Sequence, residues 1–89
     1  MYNIDIHNNA YKFITSLNNS ETIFSKIKLL KHFKSREKLD LDIKKLQGQN
    51  KNKNLYRLRI GTIRIIFQVI NEKNIIYIRA VDYRGNIYQ

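Results

Sequence analysis

The sequence predicts an α+β fold in which one N-terminal strand and a two-helix antiparallel hairpin precede a three-stranded antiparallel meander, with the helices packed on one face of the sheet. Three observations carry this. Tyr2 to His7 alternates apolar and polar residues, the next two stretches repeat apolar residues at helical spacing, and the second half consists of β-branched and aromatic runs separated by turn residues.

The first strand sets Tyr2, Ile4 and Ile6 against Asn3, Asp5 and His7. Asn8 or Asn9 then suits the N-cap of a helix whose Ala10, Phe13, Ile14 and Leu17 share one face. Asn18, Asn19 and Ser20 break that pattern. Ser20 can cap a second helix, with Glu21 in the first turn, Ile23, Ile27 and Leu30 directed inward, and Lys26, Lys28, Lys31 and Lys34 mostly outward. Lys34 to Leu41 reads as irregular, Ile43 and Leu46 as anchors, and residues 47–54 as a polar loop. The meander follows as Leu55–Ile60, Ile63–Ile70 and Ile75–Asp82, separated by Gly61-Thr62 and by Asn71 to Asn74.

A chain of 89 residues is expected to form a single domain, 1–89. It contains no cysteine, which excludes disulfides and thiolate metal sites. The N-terminus lacks the layout of a signal peptide, and no apolar run approaches the roughly 18 residues of a membrane span, so a soluble cytoplasmic protein is expected. The formal charge of +10 points to a polyanionic partner, although a genome that favours Lys, Asn and Ile codons would also supply lysines. The arginines resist that second explanation. Residues 1–50 hold eight Lys and one Arg, whereas residues 51–89 hold three Lys and five Arg. Guanidinium is a planar, permanently charged, two-pronged donor for phosphate, which ammonium is not.

The hairpin locates those arginines. A two-residue Gly61-Thr62 loop places Ile60 opposite Ile63, Arg59 opposite Arg64, Leu58 opposite Ile65 and Arg57 opposite Ile66. Arg57, Arg59 and Arg64 then share one face, while Tyr56, Leu58, Ile60, Ile63, Ile65, Phe67 and Val69 face the helices. Pairing Ile70 with Ile75 adds Tyr77 and Arg79 to the arginine face. Like charges directly opposite on a sheet oppose folding. No acidic residue is expected on this face to offset them, so an arginine cluster there suits a phosphate backbone better than it suits a merely solvated surface. Neither His7 nor His32 has metal-ligand spacing, and no Ser/His/Asp set, glycine-rich phosphate loop or spaced carboxylate pair occurs. No metal or other cofactor is expected.

The run Lys45-Leu46-Gln47-Gly48, followed by Tyr56-Arg57-Leu58-Arg59-Ile60-Gly61-Thr62-Ile63-Arg64-Ile65-Ile66-Phe67, resembles the RelE/ParE toxin superfamily, whose usual pattern is K-L-x-G and then Y-R-[IL]-R-V-G-x-[YI]-R-[VI]-[IL]-[YF]. The closing Val81 to Tyr88 is similar to that family's terminal V-x-x-R-x-x-[IV]-Y, so the resemblance covers nearly the whole chain. It implies a RelE-like toxin of a type II toxin–antitoxin pair, a ribosome-dependent endoribonuclease that cuts mRNA in the A site by 2′-OH attack on the phosphodiester and so inhibits translation. The implied partners are an acidic antitoxin, the ribosome and mRNA. The implied catalytic residues are Arg64 on the scissile phosphate, Arg59 beside it, Arg84 at the leaving oxygen, and Tyr88 stacking on the base or orienting the 2′-OH. Arg57, Arg59, Arg79, Lys51 and Lys53 would bind RNA. Where RelE proper carries lysines this chain has Arg57 and Arg59, and Asp82 and Tyr83 stand where relatives often carry Gly and His. The alternative reading is a ParE-like inhibitor of DNA gyrase without nuclease activity.

Overall fold

A computed structural model describes residues 1–33, 39–46 and 54–83. The elements run β1 (Asn3–Ile6), α1 (Asn8–Thr15), α2 (Ser20–Lys28), a 3-10 turn (Leu29–His32), β2 (Asp42–Lys45), β3 (Asn54–Ile60), β4 (Ile63–Ile70), a second 3-10 turn (Asn71–Lys73) and β5 (Ile75–Tyr83). The α+β class, the helix pair and the C-terminal meander are as expected. The sheet has one strand more than the sequence pattern indicates. Asp42–Lys45, read as part of an anchor segment, pairs antiparallel with β3 and makes a five-stranded sheet in the order β1-β5-β4-β3-β2.

Strand β1 pairs in parallel with β5, so the chain leaves one edge of the sheet, crosses its face as two helices, and returns at the other edge. The hairpin register is the expected one, with Ile60 opposite Ile63, Arg59 opposite Arg64 and Arg57 opposite Ile66. Gly61 adopts φ +57°, the conformation a tight loop needs at its first central residue, and open space surrounds the position of its missing Cβ. Asn74 is also left-handed, at φ 56°, closing the β4–β5 connection.

One side of the sheet is the core. Leu58, Ile65, Phe67, Ile76 and Ile78 are fully buried beneath Ile14, Ile23, Ile27 and Leu30 of the helical layer. At one end Phe33 meets Tyr56 and Phe67 edge-on, while those two rings stack at 5.4 Å. Tyr11 and Phe24, 5.5 Å apart, join the two helices.

The helix starts differ from expectation. Neither Asn8 nor Asn9 caps α1. His7 does, its Nδ1 accepting the Asn9 backbone N–H at 3.1 Å, because the helix begins one residue earlier than the apolar spacing indicates. Asn19, not Ser20, precedes α2, and it makes no side-chain cap bond.

Strand β5 departs from simple alternation. Its register against β4 shifts between Phe67, opposite Ile78, and Ile66, opposite Ala80, so Arg79 is an extra residue in a β-bulge. Ile78 and Val81 are both buried, and the two residues between them share the opposite face. Without the bulge, Asp82 would point into the core.

The N-terminus is fastened to the β4–β5 connection by buried Tyr2, whose phenol donates to Asn71 Oδ1 at 2.5 Å, and by Asn74 Nδ2, which donates to the Met1 carbonyl at 2.6 Å. Burial raises the Tyr2 pKa above its ordinary 10.0, and the neighbouring Tyr56 adds to the shift. The folded-state value therefore lies above that of the unfolded chain. The resulting stability is fully present below pH 10.0 and is lost as pH rises through the folded-state value. Tyr2→Phe should lower stability near neutrality by about 1 kcal/mol through the lost hydrogen bond. In urea titrations across the alkaline range, its decline above the ordinary phenol pKa should be shallower than that of the wild type.

Candidate functional site

The face of the sheet turned away from the helices carries the arginines. Arg59 and Arg64 lie directly opposite each other on β3 and β4. Two acids flank them. Asp42 on β2 is opposite Arg59, and Asp82 on β5 is opposite Arg64. The result is a row across four strands, Asp42–Arg59–Arg64–Asp82. The expectation of an acid-free face is thus overturned, for two structural reasons: β2 brings in Asp42, and the bulge at Arg79 turns Asp82 outward.

Asp42 has two arginine neighbours. Its Oδ1 accepts from Arg57 Nη2 at 3.1 Å, and its Oδ2 lies 3.9 Å from Arg59 Nε. The two guanidinium groups differ in exposure. The Arg57 side chain is only 9% exposed, against 31% for Arg59 and 56% for Asp42. Burying a permanently charged guanidinium is costly unless it is paired, and Asp42 supplies that pairing. Arg57 is therefore an anchor for Asp42 rather than an exposed phosphate ligand. Among the described residues the Nε atoms of Arg57 and Arg59 are buried and make no hydrogen bond.

Arg64 is half-buried at the centre of the sheet, and Arg79 is exposed, making a long 3.4 Å contact from Nη1 to Gln68 Oε1. The bulge gives Arg79 to this face, as the sequence register does, but beside Ala80 rather than squarely opposite Ile66. Four of the expected site residues, Arg57, Arg59, Arg64 and Arg79, thus gather on one surface. Arg84, Tyr88, Lys51 and Lys53 lie outside the described residues.

A row of arginines held between carboxylates can bind and stabilise a phosphoryl group. Fixed cations aimed at developing negative charge stabilise it without reorganisation. Permanently protonated arginines are poor proton acceptors, so these side chains supply charge rather than a general base. Among the described residues, no group of three or more His, Cys, Asp or Glu could hold a metal ion.

Sequence reasoning missed Asp42, Asp82 and His7. A four-residue polar strand offers almost no periodicity, so β2 gave no usable signal. A bulge without glycine gives none either. His7 was marked only by its place immediately before a helix.

No family model and no curated protein sequence matches the chain. Solved structures do. A chain of the archaeal RelE–RelB complex from Pyrococcus horikoshii OT3 is 26% identical, with a TM-score of 0.77 over 96% of this chain and 97% of that one. A chain of the RelB–RelE antitoxin–toxin complex from Methanococcus jannaschii is 28% identical, with a TM-score of 0.70 over 94% of each. The isolated E. coli RelE toxin is 26% identical, with a TM-score of 0.62 over 99% of this chain and 92% of that one. With its strand order, its helix layer and these full-length similarities, the chain has the RelE-like fold and is a member of the RelE/ParE toxin superfamily.

Asp42→Ala strips the partner from a buried guanidinium, but the carboxylate is more than half exposed, which moderates the loss. It should lower unfolding free energy by about 0.5–1 kcal/mol in a denaturant titration. Asp42→Asn keeps an acceptor oxygen and should recover part of that. An unchanged midpoint for Asp42→Ala would show that Arg57 does not depend on this carboxylate.

Proposed function

We propose that this chain is the toxin of a type II toxin–antitoxin pair and acts as a ribosome-dependent endoribonuclease, with a single domain, residues 1–89, carrying the activity in the cytoplasm. The observation that carries the reading is the Arg59–Arg64 pair on the open face of a RelE-like sheet. The RelE–RelB complexes among its structural neighbours support an antitoxin as its partner, and the charge of +10 on this chain favours an acidic one.

In the proposed reaction the ribose 2′-oxygen forms a bond to the adjacent phosphorus and the bond from phosphorus to the 5′-oxygen breaks. The products are a 2′,3′-cyclic phosphate and a 5′-hydroxyl. The phosphoryl group gains negative charge on the way, and Arg64 and Arg59 are placed to stabilise it. Arg57 acts through Asp42, fixing the carboxylate that orients Arg59. Arg79, with Lys51 and Lys53, extends the basic surface along the strand. The 2′-hydroxyl gives up its proton to solvent. The leaving 5′-oxygen gains one at Arg84, whose guanidinium ends the step protonated as it began, and Tyr88 stacks on the base or orients the 2′-OH, as the family resemblance implies.

Arginines supply no efficient base for the 2′-hydroxyl. The ribosome is the partner that holds the 2′-OH in line with the phosphate, and orientation alone is worth roughly 7–11 kcal/mol. Purified protein should therefore cut mRNA on programmed ribosomes in the A-site codon, leaving 5′-hydroxyl ends, and cut free RNA only in traces. Arg64→Ala should reduce the single-turnover rate by about 10²–10³-fold, the loss typical of one oxyanion-stabilising donor. It should also abolish growth inhibition while keeping stability within about 0.5 kcal/mol of wild type, since it relieves a like-charge pair. Intact mRNA on ribosomes, together with inhibited supercoiling by purified gyrase, would replace this reading with a gyrase inhibitor.

A further inference from the structure

Strand β1 ends at Ile6, yet β5 runs on to Tyr83. Where the parallel pairing stops at Ile78, the chain turns at His7 and α1 begins, so its first turn overhangs a stretch of β5 whose edge away from β4 has no strand beside it among the described residues. A cavity of about 530 Å³ fills this notch, lined by His7, Asn9, Ala10 and Phe13 on the helix side and by Arg79, Ala80, Val81 and Asp82 on the strand side. Its size falls within the usual range of small-ligand sites, about 300–1,000 Å³.

Resting on the nuclease reading above, we infer that this notch is a pocket for one unpaired nucleobase of the RNA, the base adjoining the phosphate held at Arg64. The cavity shares Arg79 and Asp82 with the basic face, and Asp82 is the register partner of Arg64. The lining residue Asp82 is thus one strand spacing, about 5 Å, from the arginine proposed to hold the phosphate.

The chemistry of the lining suits a base better than a second phosphate. Ala10, Phe13 and Val81 give an apolar wall for a flat ring. The polar groups carry both hydrogen-bonding senses. His7 Nδ1 is occupied by the Asn9 N–H, which fixes the neutral imidazole as the Nε2–H form and leaves that group as a donor. Arg79 donates, the Asn9 amide can do both, and Asp82 accepts. Asp82 Oδ1 already takes the Tyr83 N–H at 2.7 Å, which leaves its second oxygen as an acceptor. A carboxylate on the rim repels a phosphate but takes the N–H edge of a base. Unpaired bases in RNA are read in this way, by stacking and by hydrogen bonds to their edges.

The test uses Asn9→Ala, which removes a polar lining group, and Ala80→Leu, which fills the cavity; thermal melts confirm that each variant folds. On programmed ribosomes, sequencing of 5′ ends should show that wild type prefers certain bases beside the cut. Both variants should flatten that preference, cutting the favoured sites more slowly and the disfavoured ones at about the wild-type rate. Short RNAs with a 2′-deoxy cleavage site should bind wild type about five- to a hundredfold more tightly than the same RNAs with that one base removed. The variants should lose this difference. If wild type cuts and both variants keep its base preference and its response to the missing base, the pocket is overturned and the nuclease reading stands. If wild type does not cut and its RNA affinity is indifferent to Arg64→Ala, the nuclease reading falls, and the pocket with it.

Discussion

The row Asp42–Arg59–Arg64–Asp82 is the arrangement on which the functional face depends. Two arginines directly opposite each other on adjacent strands repel, and a sheet that must place them so needs opposite charge nearby. The carboxylates at the two ends supply it, each from a strand on the far side of its arginine. The order of the sheet follows the same logic. β3 and β4 form the central hairpin, and β2 and β5 flank it with one acid each. Behind the row the same strands bury Leu58 and Ile65 completely, so the arginines stand on a rigid floor.

Much of this was legible in the residues. The β3–β4 register followed from the Gly61-Thr62 turn and from the need to keep Leu58, Ile60, Ile63 and Ile65 on one side. Once that side is the core, Arg59 and Arg64 have nowhere to go but the other. The helix faces were legible for the same reason, since Ile14, Ile23, Ile27 and Leu30 repeat at the helical period and all four are buried. What the sequence hid was whatever lacked a period. β2 is four residues long and exposes three of them, so its pairing is dictated by the edge that β3 offers rather than by its own pattern. The bulge at Arg79 is set by the packing of Ile78 and Val81, a tertiary demand with no local signature. Both gaps fell on the acids of the row, which is why the face read as purely basic.

The two halves of the molecule divide the work. The helical side contributes packing. The outer face carries polar and charged residues whose partners are mostly one another. Arg57 belongs to both, being as buried as a core residue yet paired to a half-exposed carboxylate. That position makes it a link between sheet stability and the orientation of Arg59, and it explains why a lysine would not be equivalent there. The flat guanidinium can bond Asp42 through one nitrogen while its hydrophobic stem packs among neighbours, whereas an ammonium would seek water.

The flanking carboxylates also bear on selectivity for a transition state. An anion approaching Arg59 and Arg64 competes with Asp42 and Asp82 for the same cations. A phosphodiester with one negative charge gains little from that exchange. A phosphoryl group that is accumulating a second charge gains more, because its attraction to the arginines grows faster than its repulsion from acids at the ends of the row. Catalysis rests on interactions that are stronger in the transition state than in the ground state. In the proposed nuclease, the acids that make the arginine pair tolerable to the fold thus also keep ground-state RNA from binding so tightly that the advantage is spent before the reaction begins.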